Sequence, residues 1–413
     1  MKALLEFVDS FTSGNPVQSI SSIRHKDEKE TKPVYKTEGT IQNQESSLPS
    51  KRKSNPISED MSFRLSVLKF ISIIAVVFIH SYAEIIHLRT GDLHLSSYHY
   101  SCLIETFISQ HFTRFAVPLF YCISGYIFFK KNYTISYCEH LKKKFMGLLF
   151  PFLLWNTICI ISTFLLQCVP FSKQFFTKDL ISEWSLNKWL YAYIGAYNGG
   201  MPFLYPLWFL QILFIVSLIA PLTKRFFIKF PLCIFILFAI NGICLNFDLF
   251  NYLFFHQLIN ALSFFFLGHI IALQQKRIDT LSFCISSGCL FFTTIILRMV
   301  FPLPFNMIPN MLDWIFGVLF FFSLSYFFCN LSIKTKNSLL FLSSFTFVIY
   351  LMHENTLTIL KKISYTVLLP LNLTFIPLTI FFVLPFMLSA SLVLFGFLLK
   401  KYLPRVYHLL FSH

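Results

Sequence analysis

Five side chains that could act on a substrate lie in or beside stretches that are otherwise apolar: His80, Arg114, Trp208, His353 and Glu354. Four of them are ionisable. An ionisable group at the bilayer centre costs at least about 2.5–3.5 kcal/mol, which makes each a candidate for function. A histidine, with a reference pKa near 6.5, can accept a proton at neutral pH. A guanidinium can stabilise developing negative charge, and a carboxylate can orient or tune a histidine.

Each of these residues also has a purely structural interpretation. His80 could hydrogen-bond a neighbouring helix, and Arg114 could extend its charge to the membrane surface. Trp208 could belong to the aromatic belt at the interface. His353 and Glu354 could pair with adjacent helices. The sequence alone leaves these alternatives open.

Lysines form a second group of candidates. Lys69 precedes His80 by eleven residues, which is about 16 Å along a helix and close to three full turns, so the two residues share a face. Lys142, Lys143 and Lys144 form a basic cluster before a later apolar run. Such cations can bind anionic groups, although Lys69 could equally be a positive-inside residue.

The elements that must position these residues are membrane helices. The chain of 413 residues is 55% hydrophobic and only 13% charged, against about 25% in soluble domains. A spanning helix needs roughly 20 apolar residues. Ten stretches meet this requirement, at 65–86, 113–130, 145–168, 204–223, 230–247, 256–274, 280–300, 311–330, 339–360 and 371–399. We therefore predict an all-α, polytopic transmembrane bundle of about ten helices.

Two further predictions concern the organisation of the chain. Residues 1–60 are polar, which predicts a disordered or weakly ordered cytoplasmic tail before one membrane domain at 61–413. We expect Pro118 and Gly125 to break the second helix, a departure that membrane helices tolerate.

The orientation follows from the distribution of lysine and arginine, which concentrate in alternate loops. This positive-inside pattern predicts two cytoplasmic termini and an even number of helices, with Lys361 and Lys362 as exceptions in the loop between helices nine and ten. It also accounts for the net charge of +15 without nucleic acid. In this topology His80, Arg114, Trp208, His353 and Glu354 all lie in the outer half of the membrane.

Neither the cysteines nor the loop histidines indicate a metal site. The ten cysteines contain no C-x-x-C pair, and most lie in apolar runs as small buried hydrophobes do. The histidines between the first two helices have no spacing typical of ligands. We expect no metal.

An ordered series of short motifs resembles the membrane-bound acyltransferase-3 family. These motifs are LKF at 68–70, VVFIHS at 76–81, RFAVPLF at 114–120, ISGY at 123–126, KKK at 142–144, PFLLW at 151–155, PLWFL at 206–210, FLGH at 266–269 and IYLMH at 349–353. Within the family the chain looks most like bacterial O-acetyltransferases of surface glycans. The resemblance implies a ten-helix enzyme of the bacterial inner membrane that moves an acyl group from cytoplasmic acyl-CoA to a glycan.

The resemblance also implies roles for individual residues. In the family the histidine of the first helix is catalytic, which points to His80 as general base. In the family the position that matches Lys69 is often Arg. The basic cluster usually contains Arg there, and a cation often occupies the position that is Gly147 in this chain. The expected catalytic residues are His80, Arg114 and Glu354. The expected substrate-binding residues are Lys69, Ser81, Trp208, His353, Lys142, Lys143 and Lys144, with the lysines on the phosphates of CoA.

The expected partners are an acyl-CoA co-substrate, a glycan or lipid-linked sugar acceptor and the lipid bilayer, with no bound cofactor. Two other classes of function remain open at this point. A glycan or lipid-linked sugar exporter would also carry charges within the membrane, although transporters often show repeats and paired broken helices. The second open class is a non-catalytic subunit of a glycan synthase.

Overall fold

A computed structural model describes residues 57–88, 91–95, 98–130, 136–173, 180–194, 201–247, 253–300, 307–371 and 373–411. The predicted tail at 1–60 falls almost entirely outside the described residues.

The described chain is mainly α-helical. The helices are α1 (Glu59–Ser81), α2 (His99–Thr106), α3 (Ala116–Lys130), α4 (Tyr137–Lys144), α5 (Phe150–Cys168), α6 (Pro170–Lys173), α7 (Leu186–Ile194), α8 (Trp208–Lys229), α9 (Cys233–Phe247), α10 (Leu253–Ile278), α11 (Leu281–Val300), α12 (Met307–Phe327), α13 (Ile333–Ser343), α14 (Thr346–Leu368), α15 (Ile376–Tyr402) and α16 (Pro404–Phe411). Short 3₁₀ or π turns cover Phe107–His111, Phe112–Phe115, Phe145–Leu149, Ile181–Glu183, Tyr205–Leu207, Phe328–Asn330 and Leu369–Leu371.

The two strands form an antiparallel hairpin after α1. They are β1 (Ile85–Leu88) and β2 (Gly91–His94), with Ile85 opposite His94 and Leu88 opposite Gly91. Ile86 is buried in a small apolar cluster with Tyr365 and Ile380, which attaches the hairpin to α14 and α15.

Within the described residues, eight helical segments are long and apolar enough to cross a bilayer. They are Glu59–Ser81, His99–Lys130, Tyr137–Cys168, Tyr205–Lys229, Phe254–Ile278, Leu281–Val300, Met311–Asn330 and Ile376–Tyr402. The pair formed by α13 and α14, bent by 53°, makes a ninth if it counts as one span. The one predicted stretch that remains, 230–247, forms the shorter α9. The chain is a multi-pass, all-α membrane protein, as predicted.

Two local predictions were wrong. α3 continues through Pro118 and Gly125, because Pro118 lies in its first turn, where a missing N–H removes no helical bond. The irregular backbone comes earlier, in the π and 3₁₀ turns over Phe107–Phe115. Lys361 and Lys362 lie inside α14 rather than in a loop.

Two glycines allow α3 and α10 to pack backbone against backbone. A Cβ atom added to Gly125 would lie 1.7 Å from the Phe265 carbonyl oxygen, and one added to Gly268 would lie 2.2 Å from that of Cys122. Small residues permit such close approach of membrane helices. This contact fixes two walls of the site described below.

A buried ion pair sets the direction of α1 relative to α10. Arg64, near the start of α1, donates to both carboxylate oxygens of Asp279, at 2.7 and 2.5 Å. Asp279 directly follows the end of α10, so the two helices run antiparallel. The Arg64 guanidinium also donates to Ser325 Oγ at 3.0 Å and to the Phe322 carbonyl, which joins α12 to this cluster.

Candidate active site

A cavity of about 430 Å³ lies between α1, α3, α8, α10 and α14. On α1 its wall runs from Lys69 to His80, about 16 Å at 1.5 Å per residue. On α3 the wall runs from just before the helix, at Arg114, to Phe128, which is about 21 Å. The cavity is therefore an elongated passage along the helices, and the predicted face shared by Lys69 and His80 opens onto it.

One end of the passage, called the His80 end, carries His80, Arg114, Tyr205 and Trp208. His80 is partly exposed to the cavity, and its ring centroid lies 5.9 Å from that of Tyr205. Arg114 is held by a hydrogen bond from its Nη2 to Gln110 Oε1, one helical turn earlier. The structure thus brings together three of the predicted residues from three different segments.

His353 supports His80 from behind. The two ring centroids are 5.2 Å apart in an edge-to-face arrangement, and His353 is fully buried. Its Nδ1 lies 3.0 Å from the Ile349 carbonyl oxygen and 2.8 Å from that of Tyr350. Among the described residues, neither His353 nor Glu354 belongs to the cavity wall. His353 lies behind His80, and Glu354 interacts electrostatically with Tyr205 and Lys361.

The opposite end, called the lysine end, is cationic. Lys69 and Lys144 line the wall there, beside Leu148 and Ser217. Ser217 is twelve residues after Tyr205 on the same helical segment, about 18 Å away. In the described part of the chain Lys142 and Lys143 do not line the cavity. Ser81 does not either, because it is buried and its hydroxyl donates to the Val77 carbonyl at 2.8 Å.

Sequence reasoning missed Lys361. Its ammonium group donates to the backbone carbonyls of His80, at 2.6 Å, and Tyr82, at 3.2 Å, where α1 ends. The carboxylates of Glu105 and Glu354 interact with it electrostatically. Glu105 is buried, and its Oε2 accepts from the Ala83 amide at 3.4 Å. Lys361 thus satisfies the carbonyls at the end of α1 and fixes the turn that carries His80.

Sequence reasoning also missed a polar part of the wall on α10 and α12. It consists of His256, Gln257, Asn260 and Trp314. The spacing was a partial signal, because Gln257 and Asn260 share a helical face at the start of an apolar run, but it does not show that this face lines a cavity.

The arrangement can support a reaction that needs a base and an anion-binding group at one end and an anionic group held far away at the other. His80 is the histidine that opens onto the passage beside Arg114. The described residues contain no cluster of three or more His, Cys, Asp or Glu side chains that could hold a metal.

Comparison with known proteins gives two matches. A family model described as an acyltransferase domain matches residues 63–405, which is most of the chain. The chain is also 24% identical over 173 residues to the succinoglycan biosynthesis protein ExoH of Rhizobium meliloti (strain 1021). That match covers 42% of the chain and 45% of the relative, less than half the length of either. No solved structure gives a significant match.

Proposed function

Because the chain belongs to the acyltransferase family whose domain covers residues 63–405, we propose that it moves an acetyl or other short acyl group from acyl-CoA to a sugar hydroxyl of a cell-surface or lipid-linked glycan. The enzyme acts in the bacterial cytoplasmic membrane with both termini in the cytoplasm. The glycan acceptor is supported by the similarity to a succinoglycan biosynthesis protein. The observation that carries the proposal is the passage that joins His80 to the two lysines.

In this function the lysine end faces the cytoplasm and holds the donor. Lys69 and Lys144 bind the phosphates of CoA, for which ammonium groups are suitable point charges. The passage between them and His80 is lined mainly by apolar residues such as Val76 and Ile123, which suit the slender arm of the donor. The thioester then lies at the His80 end, where an acceptor can meet it.

His80 acts as general base. Its neutral imidazole takes the proton from the sugar hydroxyl while the oxygen attacks the thioester carbonyl carbon. Arg114 stabilises the negative charge that develops on the carbonyl oxygen. The C–S bond then breaks, the ester forms, and the imidazolium returns its proton to the departing CoA sulfur, which leaves as the thiol.

In this scheme the remaining predicted residues have supporting roles. Trp208 borders the acceptor at the His80 end, and His353 packs behind the base. Glu354 acts on the base indirectly, through its electrostatic interactions with Lys361 and Tyr205. Lys142 and Lys143 add positive charge beside the donor entrance, whereas Ser81 supports the helix rather than the substrate.

Replacement of His80 with alanine tests the proposal. Purified protein in lipid nanodiscs receives acetyl-CoA with succinoglycan oligosaccharides or the octyl glycosides of glucose, galactose and N-acetylglucosamine. Released CoA thiol and the mass of the acylated sugar are measured. We expect His80→Ala to lower the rate at least about 100-fold, as loss of a general base does.

The matched control is His408→Ala, on the exposed face of α16, which should retain the wild-type rate. Wild-type protein that releases no CoA and acylates none of these acceptors would refute the proposal. Transport of the glycans into liposomes without acylation would favour the exporter.

A further inference from the structure

A polar and aromatic part of the wall at the His80 end has no role in the scheme above. We call it the amide lobe: Gln257 and Asn260 on α10, with His256 beside them and Trp314 from α12. Trp208 of α8 borders it. These side chains line the same cavity as His80 but come from other helices.

Helix geometry places the amides of the lobe on the same side of the bundle as His80. Arg64 and Asp279 are paired, so both helices can be measured from this point. His80 is 16 residues beyond Arg64, about 24 Å, and Asn260 is 19 residues before Asp279, about 28 Å. Gln257 and Asn260 therefore lie near the start of α10, far from Asp279, on the same side of the bundle as the end of α1 that carries His80.

Asn260 is held in place by a second amide. Asn241, fully buried in the mainly apolar α9, donates from Nδ2 to Asn260 Oδ1 at 3.0 Å. Burial of an amide is unfavourable unless it is hydrogen-bonded, and this bond offsets part of that cost, although Asn241 Oδ1 has no partner among the described residues. Among the described residues nothing accepts from the Asn260 amide nitrogen, which keeps its N–H groups for a ligand.

Gln257 has similar capacity to spare. Within the described chain its one polar neighbour is Met201 Sδ, 4.0 Å from Nε2, a weak acceptor. Its side-chain oxygen, Oε1, accepts no hydrogen bond from the described residues. The indole nitrogen of Trp314 likewise lacks a partner in the described part of the chain.

This chemistry matches an uncharged sugar ring. A sugar hydroxyl both donates and accepts, as does a carboxamide, and an indole offers a flat apolar surface with one donor. The phosphates of CoA need cations instead, and the two lysines of the cavity wall, Lys69 and Lys144, lie at the lysine end. The two ends of one passage thus differ in the ligand that each can hold.

We propose that the amide lobe is the acceptor subsite, in which Gln257, Asn260 and Trp314 bind the sugar ring and present one hydroxyl to His80. This inference rests on the proposed function. It adds the residues that select the acceptor, and it separates them from those that bind the donor.

The test separates the kinetics of the two substrates. Gln257→Leu and Asn260→Leu remove the amides at nearly constant volume. Each should raise the KM for the octyl glycoside acceptor about tenfold, whereas the KM for acetyl-CoA should stay unchanged. The control Gln274→Leu makes the same change at an exposed position of the same helix and should alter neither KM.

A variant at the donor end completes the design. Lys144→Met should raise the KM for acetyl-CoA and leave that for the acceptor unchanged. Trp314→Phe keeps an aromatic ring but removes the indole N–H, and it should raise the acceptor KM by a smaller factor. This variant tests the subsite if a leucine variant fails to fold. If wild type transfers acyl groups while Gln257→Leu, Asn260→Leu and Trp314→Phe keep the wild-type acceptor KM, the acceptor subsite is refuted although the acyltransferase stands. If wild type transfers nothing, the proposed function itself fails.

Discussion

At the scale of single residues, exposure to the passage distinguishes His80 from its neighbour His353. Both rings lie in the same layer of the bundle, 5.2 Å apart. His80 opens onto the cavity, whereas His353 is fully buried and faces carbonyl groups of its own helix. A base must reach the proton that it removes, so the geometry favours His80.

Lys361 provides a prediction at this scale. Lys361→Met leaves the carbonyls of His80 and Tyr82 without their donor and leaves Glu105 without its counter-ion. Hydrogen bonds of charged groups contribute about 1.5–3 kcal/mol, so we expect a lower melting temperature in detergent. Because the turn that carries His80 loosens, kcat should fall more than the KM for acetyl-CoA rises.

Two further variants make this prediction specific. Lys361→Arg keeps the charge and should restore part of kcat, and Lys362→Met is the same change one residue further along α14. A wild-type kcat in Lys361→Met would show that the ammonium group does not position the base.

The candidate residues found from sequence share one property, which is their contrast with an apolar background. His80, Arg114 and Lys69 stand out because charge is rare within such runs, and all three line the cavity. Gln257 and Asn260 are uncharged and lie near a predicted helix end, where polar residues are expected. Their importance comes from their place on the cavity wall and, for Asn260, from its bond to Asn241 of α9, which sequence spacing does not show.

At the scale of elements, the contact between α3 and α10 is the tightest feature of the bundle. Gly125→Ala should separate the two helices, because the new Cβ would meet the backbone of Phe265. Backbone cannot rotate away, so we expect a large drop in melting temperature, measured by the fluorescence-detected unfolding of detergent-solubilised protein.

Gly288→Ala is the matched control. Its added Cβ would meet the ring of Phe320 at 2.9 Å, and a side chain can rotate aside. The decrease in melting temperature should be smaller than for Gly125→Ala. Equal effects of the two variants would contradict the backbone-on-backbone interpretation.

The positions of the helices could be predicted better than their shapes. Apolar runs of about 20 residues identify spans because the bilayer has a fixed thickness. The expected break at Pro118 was wrong because the effect of a proline depends on its distance from the helix start, which the apolar run does not mark. Lys361 was predicted to lie in a loop because a lysine usually marks the end of an apolar run. The sequence does not show that the end of α1 provides carbonyl groups to this ammonium group inside α14.

At the scale of the whole molecule, the proposed orientation can be tested with native cysteines. Cys138 and Cys168 are both exposed and lie near opposite ends of the segment Tyr137–Cys168. Thirty residues of helix extend about 45 Å, more than the roughly 30 Å of a bilayer core. With the other cysteines replaced by serine, we expect a membrane-impermeant maleimide to label Cys168 from outside and Cys138 only after the membrane is opened.

Labelling of both cysteines from the same side would show that this segment does not cross the bilayer. Labelling with the opposite sidedness would place the lysine end outside the cell, where CoA is absent, and would contradict the proposed direction of transfer.

The glycine contact has a consequence for the rate of the enzyme. Where Gly125 and Gly268 bring two backbones together, no side chains remain to repack, so α3 and α10 form a rigid half of the passage. Room for a bulky acceptor must then come from α8 and α14 opposite, which are joined by the hydrogen bond from the Tyr350 hydroxyl to the Pro206 carbonyl. In the proposed function, separation of α8 from α14, rather than bond making at His80, should limit the turnover rate with long glycans. The turnover rate with single sugars should not depend on that separation.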